Sequence, residues 1–237
     1  MPNTGASKSS KLVAVGVAAL LLAVPALVAA HGVSSKDAVY LQGLNGPAIG
    51  PLLYLGAKHM VTGYDHLLFL IGVIFFLFRP KDIVRYVTLF TLGHSVTLLG
   101  GVLGGIRANP YLIDAIIGFS VVYKAFENMG GFRSIFGMQP SARAAVLIFG
   151  LFHGLGLATK LQELALSPKG LVVNIISFNV GVEIGQALAL TGILIAISYW
   201  RTHSGFLRHA FVTNVLVMAC GILLLGHQLS GYFLAAV

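Results

Sequence analysis

The chain has 237 residues, of which 57% are hydrophobic and only 9% charged, with a mean hydropathy of +0.91. Soluble domains are about 25% charged, so this composition excludes an ordinary soluble globule and indicates an all-α integral membrane protein. The net charge of +8 comes from Lys and Arg set mostly between apolar runs, which suits orientation in a bilayer and argues against nucleic-acid binding.

The N-terminus reads as a cleavable secretory signal over residues 1–30, with an uncleaved first transmembrane helix as the alternative. Lys8 and Lys11 form a basic region, Leu12 to Val24 a short apolar run, and Pro25 with Val28-Ala29-Ala30 a break followed by small residues. Cleavage after Ala30 makes His31 the new N-terminus, where its amine and imidazole together can hold one metal ion, as in a copper histidine brace. Residues 31–61 form an extracytoplasmic segment, polar at first and then apolar enough over 48–61 for an interfacial or re-entrant helix. Residues 62–237 form the transmembrane domain. Its apolar runs predict helices at 62–78, 83–104, 111–129, 143–160, 170–199 and 208–233. A crossing takes about 20 residues, so six crossings follow the signal. Cys220 stands alone and excludes an intramolecular disulfide or a CxxC motif.

Orientation follows from the basic residues. With the mature N-terminus outside, Arg79, Lys81, Arg85, Lys124, Arg133, Arg143, Arg201 and Arg208 fall on the cytoplasmic side. Lys36, Lys58, Arg107, Lys160 and Lys169 fall outside. This agrees with the positive-inside rule and sets the chain in a bacterial inner membrane.

Polar residues inside the apolar runs carry the chemistry. They are His59, Asp65, His66, His94, His153 and Glu183, supported by Ser95, Asn179 and Gln186. Ionisable groups in hydrocarbon cost roughly 2.5–3.5 kcal/mol each on insertion scales. Imidazole and carboxylate without thiol suit nickel, cobalt, zinc, iron or copper, and affinity order does not choose among them. On a continuous helix His59 and His66 share a face but stand about 10.5 Å apart along the axis. Either there are two ion stations, or the helix begins at Gly63 and His59 folds back. Asp65 serves as a ligand or orients an imidazole. Glu183 shares a helix face with Asn179 and Gln186 near mid-span. No HExxH or GxSxG motif occurs. Asp114 and Glu127 flank their helix as end charges.

Four strings in order carry a resemblance: His59-Met-Val-Thr-Gly-Tyr-Asp65-His66, Phe90-Thr-Leu-Gly-His94-Ser, Phe149-Gly-Leu-Phe-His153-Gly, and Phe178-Asn-Val-Gly-Val-Glu183-Ile-Gly-Gln. They resemble the HupE/UreJ family of hydrogenase and urease accessory membrane proteins. The resemblance covers most of the chain after the signal. It implies a secondary carrier of nickel or a related divalent metal, with His59, Asp65 and His66 as the motif needed for transport. It is closest to a branch whose long N-terminal region begins at a signal-cleaved His, where the tie to hydrogenase or urease is looser.

The expected function is therefore inward carriage of a divalent metal, with a depth gradient from His31 to Glu183 as the route. Two alternatives are a membrane-embedded metal-dependent hydrolase and a metallochaperone that loads a partner metalloenzyme during its maturation.

Overall fold

A computed structural model of the chain describes Gly43, residues 46–163 and residues 168–235. The expected signal sequence and His31 lie outside these residues. Of the described residues 84% are helical, and none is in a strand. The helices are α1 (Ile49–Thr62), α2 (Tyr64–Ile74), α3 (Pro80–Leu103), α4 (Pro110–Asn128), α5 (Gly131–Phe136), α6 (Ala142–Glu163), α7 (Leu171–Arg201) and α8 (Phe206–Ala235).

All six apolar runs appear as helices, and local chemistry explains their ends. Pro80 and Pro110 sit in the first turns of α3 and α4, where the missing N–H is no loss and the fixed φ is already helical. The Asn109 side chain accepts from Leu112 N at 3.2 Å and caps α4. The run expected over 62–78 stops earlier as a helix because Arg201 reaches its end. Its guanidinium donates to the carbonyls of Ile74, Phe75 and Leu77 at 2.8, 2.6 and 2.9 Å, and it lies 4.3 Å from the Phe78 ring. A cation on the last carbonyls is favoured by the negative end of the helix dipole.

Four helices, α3, α6, α7 and α8, are each long and apolar enough to cross a membrane. Their outward faces are apolar. Leu92 and Val96 on α3, Val180 and Leu188 on α7, and Phe211 and Ile222 on α8 are all exposed. A helix that is hydrophobic on its outer face as well belongs in lipid.

The helices pack in three pairs: α1 with α7, α3 with α6, and α4 with α8. Glycine sets each contact. Gly56 lies against Phe178 O and Gly181 against Leu53 O. Gly150 lies against Phe90 O and Gly154 against His94 O. Gly118 lies against the backbone of Leu224 and Leu225. In lipid no hydrophobic drive separates helix from helix, so close approach of backbones is what holds them. Ala48 meets Asn174, Leu53 meets Gly181 and Ala57 meets Gly185, and Phe90 meets Gly150 while Gly101 meets Ala158, so α1 with α7 and α3 with α6 run parallel. Gly118 meets Leu224 while Gly231 meets Tyr111, so α4 and α8 run antiparallel. One end of the bundle carries residues 46–48, 104–109 and 168–170. The opposite end carries 75–79, 129–141 and 202–205. Helix α2 continues from α1 toward that opposite end, in contact with α4, α8 and α7. The helix expected at 48–61 is thus α1, and within the bundle it is laid along α7.

These contacts give a stability prediction. Gly181→Ala and Gly154→Ala place a methyl into a carbonyl of the facing helix, and each should cost about 1–3 kcal/mol. Gly226→Ala on α8 meets nothing within 4 Å and should leave stability unchanged or slightly raised. Thermal unfolding of the purified variants in detergent reads the difference. Equal melting temperatures for all three would refute this account of the packing.

Candidate functional site

The chain turns from α1 into α2 at Gly63, whose backbone is extended at φ −73 and ψ 100. Its N–H closes onto His59 O at 2.9 Å, and its carbonyl accepts from Leu67 N at 3.0 Å. The space there is tight: a Cβ would stand 2.8 Å from His66 Nδ1, 3.0 Å from His59 O and 3.1 Å from Asp65 Oδ1, so a larger residue displaces these groups. This break folds His59 back toward His66. Their ring centroids are 5.1 Å apart, half the separation of a continuous helix. The second helix therefore begins just after Gly63, and His59 folds back toward His66.

His153 enters from α6, with its ring 5.1 Å from that of His66. His94 comes from α3, brought in by the contact of its carbonyl with Gly154. Phe90 bridges the two, at 6.2 Å from His94 and 5.0 Å from His153. Phe69 packs on the His153 ring at 5.4 Å and Phe178 on that of His59 at 6.2 Å. His66, His94 and His153 are all buried. The four histidines thus gather at one level of the bundle, which replaces the expected depth gradient within the described residues.

Hydrogen bonds fix two tautomers. A carboxylate only accepts, so His66 Nδ1–H donates to Asp65 Oδ1 at 3.0 Å. A peptide carbonyl only accepts, so His153 Nδ1–H donates to Phe149 O at 2.7 Å. Each ring is left with its lone pair on Nε2, the arrangement that orients metal-binding imidazoles. The buried Nε2 atoms of His66 and His94 have no hydrogen-bond partner. A buried polar atom left unpaired costs about 1–3 kcal/mol, so these positions suit a ligand. Among the described residues, no three His, Cys, Asp or Glu side chains converge into a ready coordination sphere. The donors are adjacent, but not drawn together into one coordination sphere.

A family profile described as HupE / UreJ protein matches residues 35–236. The chain belongs to the HupE/UreJ protein family. No curated protein and no solved structure matches it. The HupE/UreJ family relates to nickel and divalent-metal handling by accessory membrane proteins. The four strings read from the sequence lie within the matched span.

The remaining sequence-predicted residues divide. Asn179 and Gln186 are buried on α7 and face α3. Asn179 Nδ2 donates to Ser95 Oγ at 3.0 Å, and Thr91 Oγ1 donates to Gln186 Oε1 at 2.9 Å. These bonds tie α7 to the helix that carries His94. Glu183 does not join the histidines. It is exposed on the outer face of α7, held at 3.3 Å by Asn179 Nδ2.

Asp114 is what the sequence reading missed. It was placed as a helix-end charge, yet it is buried and lines a cavity of about 20 Å³ with Asp65, His66, His153 and Lys160. Its place in the first turns of a span, on the face that receives Gly156, was the available signal.

Imidazole nitrogen shifts test the site directly. In protein labelled with ¹⁵N-histidine, His66 and His153 should both appear as Nδ1–H tautomers. Asp65→Asn should release the tautomer of His66 and leave that of His153. An Nε2–H form at either ring in the wild type contradicts the geometry.

Proposed function

We propose that the protein is a carrier that moves a divalent transition metal, nickel foremost, inward across the bacterial inner membrane, and that it is not an enzyme. In this reading α1 and α2 form one broken crossing, and α3, α4, α6, α7 and α8 form the other five. The 104–109 end faces outward, and the chain follows a cleaved signal sequence. The observation that supports this most is the meeting of His59, His66 and His153 at the Gly63 break, with the lone pairs of His66 and His153 set on Nε2. Membership of the HupE/UreJ family supports metal as the cargo.

The chemistry follows from these groups. Neutral imidazole binds borderline cations by its lone pair, and Asp65 adds negative charge at the first turn of α2. The exposed N–H groups of a helix start repel cations, and the carboxylate offsets them. A resident catalytic zinc needs three converged ligands and an open fourth position. Rings held 5.1 Å apart suit an ion that enters, is held and leaves. Protons compete for the same nitrogens, so uptake should fall on acidification.

Uptake into proteoliposomes decides the matter. Wild-type protein should load nickel, or another divalent transition ion, down an imposed gradient. His66→Ala should abolish the flux, and His203→Ala, exposed in the 202–205 loop, should leave it intact. A wild type that moves none of nickel, cobalt, zinc, iron or copper sinks the proposal.

A further inference from the structure

Resting on the carrier reading, we infer that Asp114 is a ligand on the ion's route and that Lys160 holds its place until the ion arrives. The Asp114 carboxylate is buried, and both of its oxygens accept from Lys160 Nζ, at 3.0 and 2.8 Å. The pair opens into the same cavity as His66, Asp65 and His153. At about 20 Å³ that cavity has room for a single small ion or water. Lys160 follows His153 by seven residues on α6, two turns along one face, or about 10.5 Å along the axis. It therefore stands between the histidines and the 104–109 end of the bundle.

The two partners differ in freedom. Asp114 is carried on a helix whose side chains pack closely against α6 at Gly156. A Cβ at Gly156 would stand 2.9 Å from Ile113 Cγ2 and 3.9 Å from Asp114 Oδ1. The Lys160 ammonium rides on a four-carbon stem, and its side chain is 19% exposed against 6% for that of Asp114. The lysine can swing out while the carboxylate stays.

Charge gives the direction of the exchange. Two carboxylates, Asp65 and Asp114, face the cavity with one ammonium. A divalent cation in place of that ammonium balances both carboxylates and leaves the imidazoles neutral. With Lys160 still in place, the incoming ion meets a like charge in a space of low dielectric. A buried carboxylate stripped of its partner is costly, and replacement of one cation by another keeps Asp114 paired throughout. Lys160 thus acts as a tethered stand-in for the cargo and raises the threshold for its entry.

The test reads Lys160 in the wild type. Purified protein is treated with an amine-reactive acetylating reagent with and without nickel, and modification of Lys160 is measured by mass spectrometry. Nickel should increase modification of Lys160, and Asp114→Asn should show the raised level without nickel. Uptake kinetics give the second reading. Asp114→Asn should raise KM for nickel on the order of tenfold, as expected for loss of a charged partner of a metal site. Lys160→Met should lower KM by a similar order through relief of like-charge repulsion. Lys160→Arg grips the carboxylate with a two-pronged fork and should raise KM. If Lys160→Met fails to fold, the labelling and the arginine variant still decide. Modification of Lys160 that ignores bound nickel overturns the inference. So does loss of uptake in both single variants with recovery in Asp114→Asn/Lys160→Met, the mark of a structural ion pair. A wild type that carries no ion overturns the carrier reading and this inference with it. Carriage that proceeds without these Lys160 effects overturns this inference alone.

Discussion

The break at Gly63 is the constraint on which the rest depends. A helix that stops inside a membrane bundle leaves its last carbonyls and the next helix's first N–H groups away from water. Here Gly63 closes one bond back onto His59 O and one forward to Leu67 N, and Asp65 sits beside the N–H groups that remain. The same break turns His59 toward His66. Backbone satisfaction and the gathering of donors are therefore one event, and a side chain at position 63 would press on His66 and Asp65. At the other end of α2, Arg201 satisfies three carbonyls at once. A short helix of 11 residues is thus anchored at both ends by polar contacts and packed on its sides by α4, α7 and α8.

The helix pairs carry a second regularity. Exchange α1/α2 with α6, α3 with α7, and α4 with α8, and the three packed pairs map onto themselves. Each exchange also reverses chain direction between the two ends of the bundle. This is the pairing pattern of an inverted repeat, in which three helical elements are related to three others by a two-fold axis across the bundle. Binding sites in such arrangements lie at the interface of the repeats, near mid-depth. His66 on α2 and His153 on α6 occupy exchanged elements and meet there, 5.1 Å apart. Glycines make the meeting possible, because Gly150 and Gly154 seat α6 directly on the α3 backbone and so set the depth of His153.

Much of this was legible in the sequence, and the part that was not has a physical cause. Apolar runs of membrane length announce helices because the bilayer forbids unsatisfied backbone, so all six runs appear with shifted ends. His59, His66, His94 and His153 were conspicuous because their types are costly in an apolar setting. Their assembly was not legible. Whether His59 and His66 stand two turns apart or side by side turns on one backbone angle at Gly63, and no periodicity reports it. Glu183 misled for a related reason. Its face of α7 was correctly shared with Asn179 and Gln186, but a helix face spans a wide arc. The bundle buries the 179 and 186 edges and leaves 183 at the surface. Asp114 was read as a helix-end charge, since sequence position gives depth along a helix but not the neighbour across it.

The cluster has different surroundings on its two sides, and that difference gives it a direction. Toward the 104–109 end the cavity is polar and holds Asp114 and Lys160. Toward the opposite end, Phe69 and Phe90 pack 5.3 Å apart beneath His153. The next cavity is about 10 Å³ and is lined largely by apolar side chains such as Leu70, Val73 and Val146. A hydrated cation sheds water readily only where oxygen or nitrogen donors replace it, so the polar side offers an approach and the phenylalanine side a barrier. The arrangement seen is thus closed toward the 75–79 end. In the carriage proposed above, an ion leaving toward the 75–79 end must pass the Phe69 and Phe90 rings, which sit on α2 and α3 of one half. Each packed pair joins one half to the other, so a tilt of the halves moves these rings relative to His153 only by sliding the glycine contacts of all three pairs. The glycine contacts that seat His153 therefore also hold the Phe69 and Phe90 layer against it.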